Sequence, residues 1–138
     1  MDDVVVPGLL HAFVVRSPVA HGVITTMDVS AARVVPGVAG VLTADDMRDV
    51  GPLPGPRGID GLAGLELPLL RPAGDRVRWA GEPVALMVAE TAAPAADAAE
   101  LVSVDYDVLP AVTSPEAAAA PGAPALYDGG NVCVRDHR

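Results

Sequence analysis

Few side chains in this sequence stand where chemistry could use them. Glu82 lies between Gly81 and Pro83, directly ahead of the apolar run Val84 to Val88. A carboxyl pinned beside a buried strand suits general acid or base work, but that work needs a second group within hydrogen-bond reach. No neighbour in sequence supplies one, so Glu82 reads as a loop anchor that accepts backbone amides. His11 and His21 could act as bases or ligands, yet they fall on separate predicted strands with no third donor at metal spacing, and both read as structural. Asp105 and Asp107 share one strand face, but a hard cation takes about six or more oxygens, so the pair reads as a solvated surface. Ser17 and Ser114 have turn and cap explanations, and neither sits in a GxSxG elbow. No phosphate-cradling GxGxxG or GxxxxGK loop is present.

Two counts narrow the chemistry further. Cys133 is the only cysteine, which excludes an internal disulfide and any zinc or iron–sulfur site built from several thiolates of this chain. There is no lysine, so no biotin or lipoate arm can be attached and no Schiff base can form. His137 lies in a tail of weak patterning. The chain offers no catalytic, cofactor-binding or metal-ligating residue; Trp79, Gly81, Glu82 and Pro83 are the positions expected to serve structure or an interface. As the only tryptophan, and placed just before the central strand, Trp79 is expected at a buried contact.

The elements that position these residues follow from pattern. Val84 to Val88 is uniformly apolar, as in a strand covered on both faces, and Gly81 and Pro83 break the chain before it. Thr91 then stands at the cap of an alanine-rich helix that runs to Leu101 and is thin enough to pack closely. From Val102 to Val108 apolar and polar residues alternate, which predicts a strand with one wet face. Earlier, Leu9 to Val15 and Gly22 to Met27 read as strands, Ser30 caps a short helix ended by Pro36 and Gly37, and Val38 to Leu42 is another strand. Thr43 with Asp46 has the spacing of a capping box. Two strand-helix-strand units therefore flank a glycine- and proline-rich loop, 49–75, and together predict an α+β domain with a mixed sheet. Ser114 and Pro115 open a last helix, and the tail, 127–138, is expected to pack poorly.

Length and charge set the outer limits. With 138 residues the chain suits one domain, 1–138, able to bury roughly two thirds of its unfolded surface. Although 51% of residues are hydrophobic, no apolar run reaches the span of about 20 that a bilayer needs, and the expected location is the cytoplasm. A net charge of −9 repels phosphate backbones and anionic lipid, which argues against nucleic acid and membrane partners.

The segment PLLRPAGDRVRWAGEPVALMVAE, the helix after it and the exit VDYDVLPAVTSPEAA resemble the α/β hammerhead domain of the molybdenum hydroxylases. That family includes xanthine dehydrogenase, aldehyde oxidase and aerobic carbon monoxide dehydrogenase. The opening stretch PGLLHAFVVRSPVAHGVITTMDVSAARVVPGVAGVLTADDM resembles the first half of the same domain in the same order. The resemblance implies a structural and interface domain of a large subunit. Molybdopterin would be bound by other parts of that subunit, and 2Fe-2S and FAD by other domains or subunits. It also implies a partner, the molybdopterin-binding domain or subunit of the same enzyme, and an inactive chain when alone. The alternative is a free-standing hammerhead adaptor or binding module, which a start at Met1 and an end at Arg138 would suit.

Overall fold

The computed structural model describes residues 6–53 and 67–132, and its centre is the strand that the apolar run predicts. Eight regular elements follow one another: β1 (His11–Arg16), β2 (Gly22–Asp28), β3 (Val38–Leu42), β4 (Arg76–Val77), β5 (Pro83–Ala89), α1 (Ala92–Glu100), β6 (Ser103–Val108) and α2 (Pro115–Ala119). β5 lies between β1 and β3 in one three-stranded sheet, and β2 lies between β4 and β6 in a second. Every pairing between these strands is antiparallel. No helix among the described residues is long and apolar enough to cross a membrane.

The α+β class and the two strand-helix-strand units are as the pattern predicts, but the single mixed sheet is two antiparallel ones. Each unit sends its strands to different sheets, β2 from β3 and β5 from β6. The reason lies in β5, whose hydrogen-bonding edges are both taken by β1 and β3. β6, with Ser103, Asp105 and Asp107 exposed, needs a wet face that a doubly covered neighbour cannot provide. It pairs with β2 instead, and β3 pairs with β5, so the first strand of each unit bonds the second strand of the other.

Two apolar clusters share β5. Ala85, Met87 and Ala89 meet Ala95 and Ala98 of α1, with Ala32 and Val41. Val84, on the opposite face, meets Ile24 and Val77. The small side chains of α1 are what let the helix backbone approach the sheet, since a bulkier residue at Ala95 or Ala98 would hold it away.

Local signals fared unevenly. Ser114 caps α2 by accepting the Ala117 N–H at 3.1 Å, with Pro115 in the first turn. Asp46 reaches back to the Thr43 N–H at 2.8 Å, and that bond holds its carboxyl below the usual carboxylate range. Thr91 occupies the cap position of α1 without making a side-chain bond there. Ser30 caps nothing: the expected helix is a single 3-10 turn, Ala32–Val34, and the Ser30 N–H instead donates to Asp28 Oδ1 at 2.8 Å. Three residues are too few for the i to i−4 ladder of an α-helix.

The glycine- and proline-rich loop, 49–75, enters the core at its end, where Leu70 and Arg71 are each 5% exposed. Its base is closed by the Leu53 N–H on the Leu67 carbonyl at 2.8 Å. Of the expected tail, Tyr127 to Val132 is tied down, because the Asn131 amide accepts from the Leu126 N–H at 2.8 Å and donates to the carbonyls of Pro124 and Ala118. Residues 54–66 of the loop, Cys133, His137 and the rest of the tail lie outside the described residues.

Close packing of α1 makes a specific demand. Ala98→Leu is expected to lower unfolding stability by about 1–3 kcal/mol through overpacking, whereas Ala93→Leu on the exposed side should change it by less than about 0.5 kcal/mol. Urea denaturation of both variants measures the difference.

Candidate functional site

The turn from Arg78 to Pro83 brings the buried Glu82 to the buried Arg71. Glu82 is 2% exposed, and both carboxylate oxygens are engaged. Oε2 accepts the Arg78 N–H at 2.6 Å, and Oε1 accepts from Arg71 Nε. Arg71 is equally buried; its Nη1 donates to Asp75 Oδ2 at 2.7 Å and its backbone N–H to the Pro83 carbonyl at 2.9 Å. Glu82 thus has one backbone amide and one guanidinium as partners.

Asp75 extends the cluster. Its carbonyl accepts the Ile24 N–H at 3.0 Å, which fastens the group to β2, and its Oδ1 accepts the Arg76 N–H at 2.7 Å. Partial burial pulls the Asp75 carboxyl upward, but the Arg76 amide, the Arg71 hydrogen bond and the charges of Arg71 and Arg78 outweigh it and hold its pKa below the ordinary value. Arg78 carries the network to the tail: Nε donates to the Leu126 carbonyl at 2.8 Å and the guanidinium lies 5.2 Å from the centre of the Tyr127 ring. Arg76 adds an exposed ion pair to Asp128 at 3.1 Å.

Gly81 and Pro83 shape the turn. Gly81 has φ +93, which only glycine adopts without strain, and its N–H donates to the Ser17 carbonyl at 2.7 Å. Pro83 faces Arg16 where the β1–β5 register shifts, so the missing proline amide falls at an irregularity rather than within the ladder. Trp79 departs from expectation. It is 39% exposed, because it starts the turn that the Glu82 N–H closes on its carbonyl at 3.3 Å, and such a position keeps the backbone in while the side chain points out.

The remaining candidates stay apart from this cluster. His21 is buried, with Nδ1 2.8 Å from the Pro110 carbonyl, an arrangement that makes Nδ1 the donor; its Nε2 is buried without a partner. Together with the Leu109 N–H on the His21 carbonyl at 2.9 Å, this pins the exit of β6. His11 is exposed at the start of β1, so it is a surface residue and not the structural histidine expected. Asp105 accepts from Thr26 Oγ1 at 2.7 Å on the wet face, and Asp107 is exposed beside it. Ser17 closes a turn on Val19 at 3.0 Å. Among the described residues no group of three or more His, Cys, Asp or Glu side chains could hold a metal ion.

Sequence reasoning missed Arg71, Asp75 and Arg78. The available signal was an arginine directly after Leu69 and Leu70: a charge that follows an apolar pair into a core has to bring a counter-charge with it.

Comparison with known proteins places this geometry. The model of the family described as aldehyde oxidase and xanthine dehydrogenase, a/b hammerhead domain, matches residues 1–110. Over 137 residues the chain is 37% identical to the xanthine dehydrogenase molybdenum-binding subunit of Escherichia coli O157:H7, covering 95% of this chain and 18% of that one. Over 128 residues it is 41% identical to the carbon monoxide dehydrogenase large chain of Hydrogenophaga pseudoflava, covering 93% and 15%. The fold superposes on quinoline 2-oxidoreductase from Pseudomonas putida 86 with a TM-score of 0.83 at 38% identity, covering 93% of this chain and 16% of that one. The chain therefore spans less than a fifth of the length of these relatives.

The buried cluster yields two expected outcomes. Glu82→Gln leaves the buried Arg71 guanidinium with Asp75 as its remaining carboxylate partner, so it should cost about 1.5–3 kcal/mol in urea denaturation, while the double change Arg71→Met with Glu82→Leu should recover part of that loss. Asp75 ionises at a lower pH in the folded chain than in the unfolded one, where its value is about 3.9. Its contribution to stability is therefore full above that value and disappears as pH falls through the depressed folded one. Thermal melts across an acid series should show a shallower acid limb in Asp75→Asn than in the parent chain.

Proposed function

Because the chain belongs to the aldehyde oxidase and xanthine dehydrogenase a/b hammerhead family, we propose that it is a non-catalytic structural and interface domain of a molybdenum-dependent hydroxylase large subunit. The observation that carries this reading is coverage. Nearly all of this chain aligns with relatives named for molybdenum binding or carbon monoxide dehydrogenation, yet it spans only 15–18% of each. On this reading the molybdenum cofactor belongs to the remainder of the large subunit, with 2Fe-2S and FAD on other domains or subunits, in a cytoplasmic enzyme.

Among the described residues, the buried polar groups do not offer that cofactor a site. Arg71 and Glu82 satisfy one another, and His21 is turned to the Pro110 carbonyl. What the chain supplies is a rigid frame and a surface. The Trp79 turn stands outward on buried ionic supports, which suits it to contact the molybdopterin-binding part of the enzyme.

Two measurements test the proposal. Metal analysis of the purified chain from a host that makes the cofactor should find molybdenum far below one atom per chain. The chain should also associate with the rest of the large subunit when the two are produced as separate polypeptides. Stoichiometric molybdenum in the chain alone, or failure to associate, overturns the reading; the second result would point to a free-standing adaptor.

A further inference from the structure

The outer edges of the two sheets are defended unequally. β6 carries exposed Asp105 and Asp107, β4 is two residues long, and β3 is interrupted by a register shift between Val38 and Gly40. Charge, brevity and irregularity are what keep an edge from recruiting a further strand. β1 lacks them from Ala12 to Val15: its register against β5 is continuous until the shift at Val15 and Arg16. The same edge is apolar, with Phe13 46% exposed and Leu9 and Leu10 exposed just before it. Beside it runs a groove between β1 and the last turn of α1, lined by Phe13, Val14, Val15, Arg16, Ala99 and Glu100.

We propose that the β1 edge and this groove receive an extended, apolar, uncharged segment from the remainder of the same large subunit, which adds beside β1 as a fourth strand. The inference rests on the functional reading above and specifies where and how that partner docks. Three observations select the occupant. More than four fifths of the length of each relative lies outside the matching region, so covalently linked chain is the partner at hand. Arg16 lines the groove and also donates to the Gly81 carbonyl at 2.9 Å, so one end of the groove lies beside the turn that carries the exposed Trp79. Its one cation and one anion, Arg16 and Glu100, leave it without the net charge that would favour a charged ligand. Strand addition satisfies the outward-facing amides and carbonyls of the edge, and alternate side chains of the incoming segment reach over Phe13 into the groove.

The test uses the full chain and the rest of the large subunit as two polypeptides, with hydrogen exchange read across the chain and affinity measured by titration. Binding is expected to slow exchange of the β1 amides, and both Ala12→Lys and Phe13→Glu should weaken association about tenfold or more, the scale of a lost interface anchor. Exchange within β5 and α1 of the free variants reports whether each is folded. Should Phe13→Glu unfold, Ala12→Lys at an exposed position decides alone. Unchanged affinity in the folded variants, or β1 amides that stay fast in the complex, overturns this inference and leaves the functional reading standing. A parent chain that does not bind at all overturns both. Self-association of the chain that Ala12→Lys abolishes would assign the edge to a second copy and also overturn the proposal.

Discussion

The contact between Arg71 and Glu82 constrains the rest of the molecule. Two opposite charges removed from water must meet, because either one alone in the core would cost several kcal/mol. Their meeting fixes the end of the long loop against the start of β5. Asp75 then joins the same loop to β2, and Arg78 joins the turn to the segment around Leu126. Four stretches distant in sequence are thereby set in one register. The pair need not add much net stability to serve this purpose, since its effect is to penalise every arrangement in which the charges miss each other.

Much of this frame was legible in the sequence, and the residues show why the rest was not. The apolar run of β5, the alternation of β6, and the Ser114 and Thr43 starts are local signals, each decided by neighbours a few positions away. The assignment of strands to two sheets is not local: it depends on β5 having both edges filled, which no pattern within β5 or β6 records. Arg71 pairs across the turn to Glu82, and a guanidinium inside a proline- and glycine-rich stretch looks like surface until its partner is known. Trp79 was misjudged because size and apolarity favour burial, while the turn it opens directs the side chain outward. Thr91 holds the cap position with the right residue type, yet its hydroxyl makes no cap bond.

The candidate site gains its meaning from the same economy of partners. Glu82 was singled out as a carboxyl beside a buried strand, and the structure spends both of its oxygens on holding the turn. Both oxygens face partners of this chain, the Arg78 amide and the Arg71 guanidinium. The family match covers the two interlocked units and the turn between them, so the buried ionic frame belongs to the region that the relatives share.

Interlocking has a consequence for synthesis. β3 finds its partner in β5, and β2 finds its partners in the two-residue β4 and in β6, so about sixty residues lie between the end of β3 and the last strand needed. At roughly 5–20 residues per second, a ribosome leaves β1 to β3 waiting for several seconds with no sheet to join. Their apolar faces are open throughout that interval. Neither unit pairs its two strands with each other, so the first half of this domain leaves the ribosome as an unpaired apolar segment.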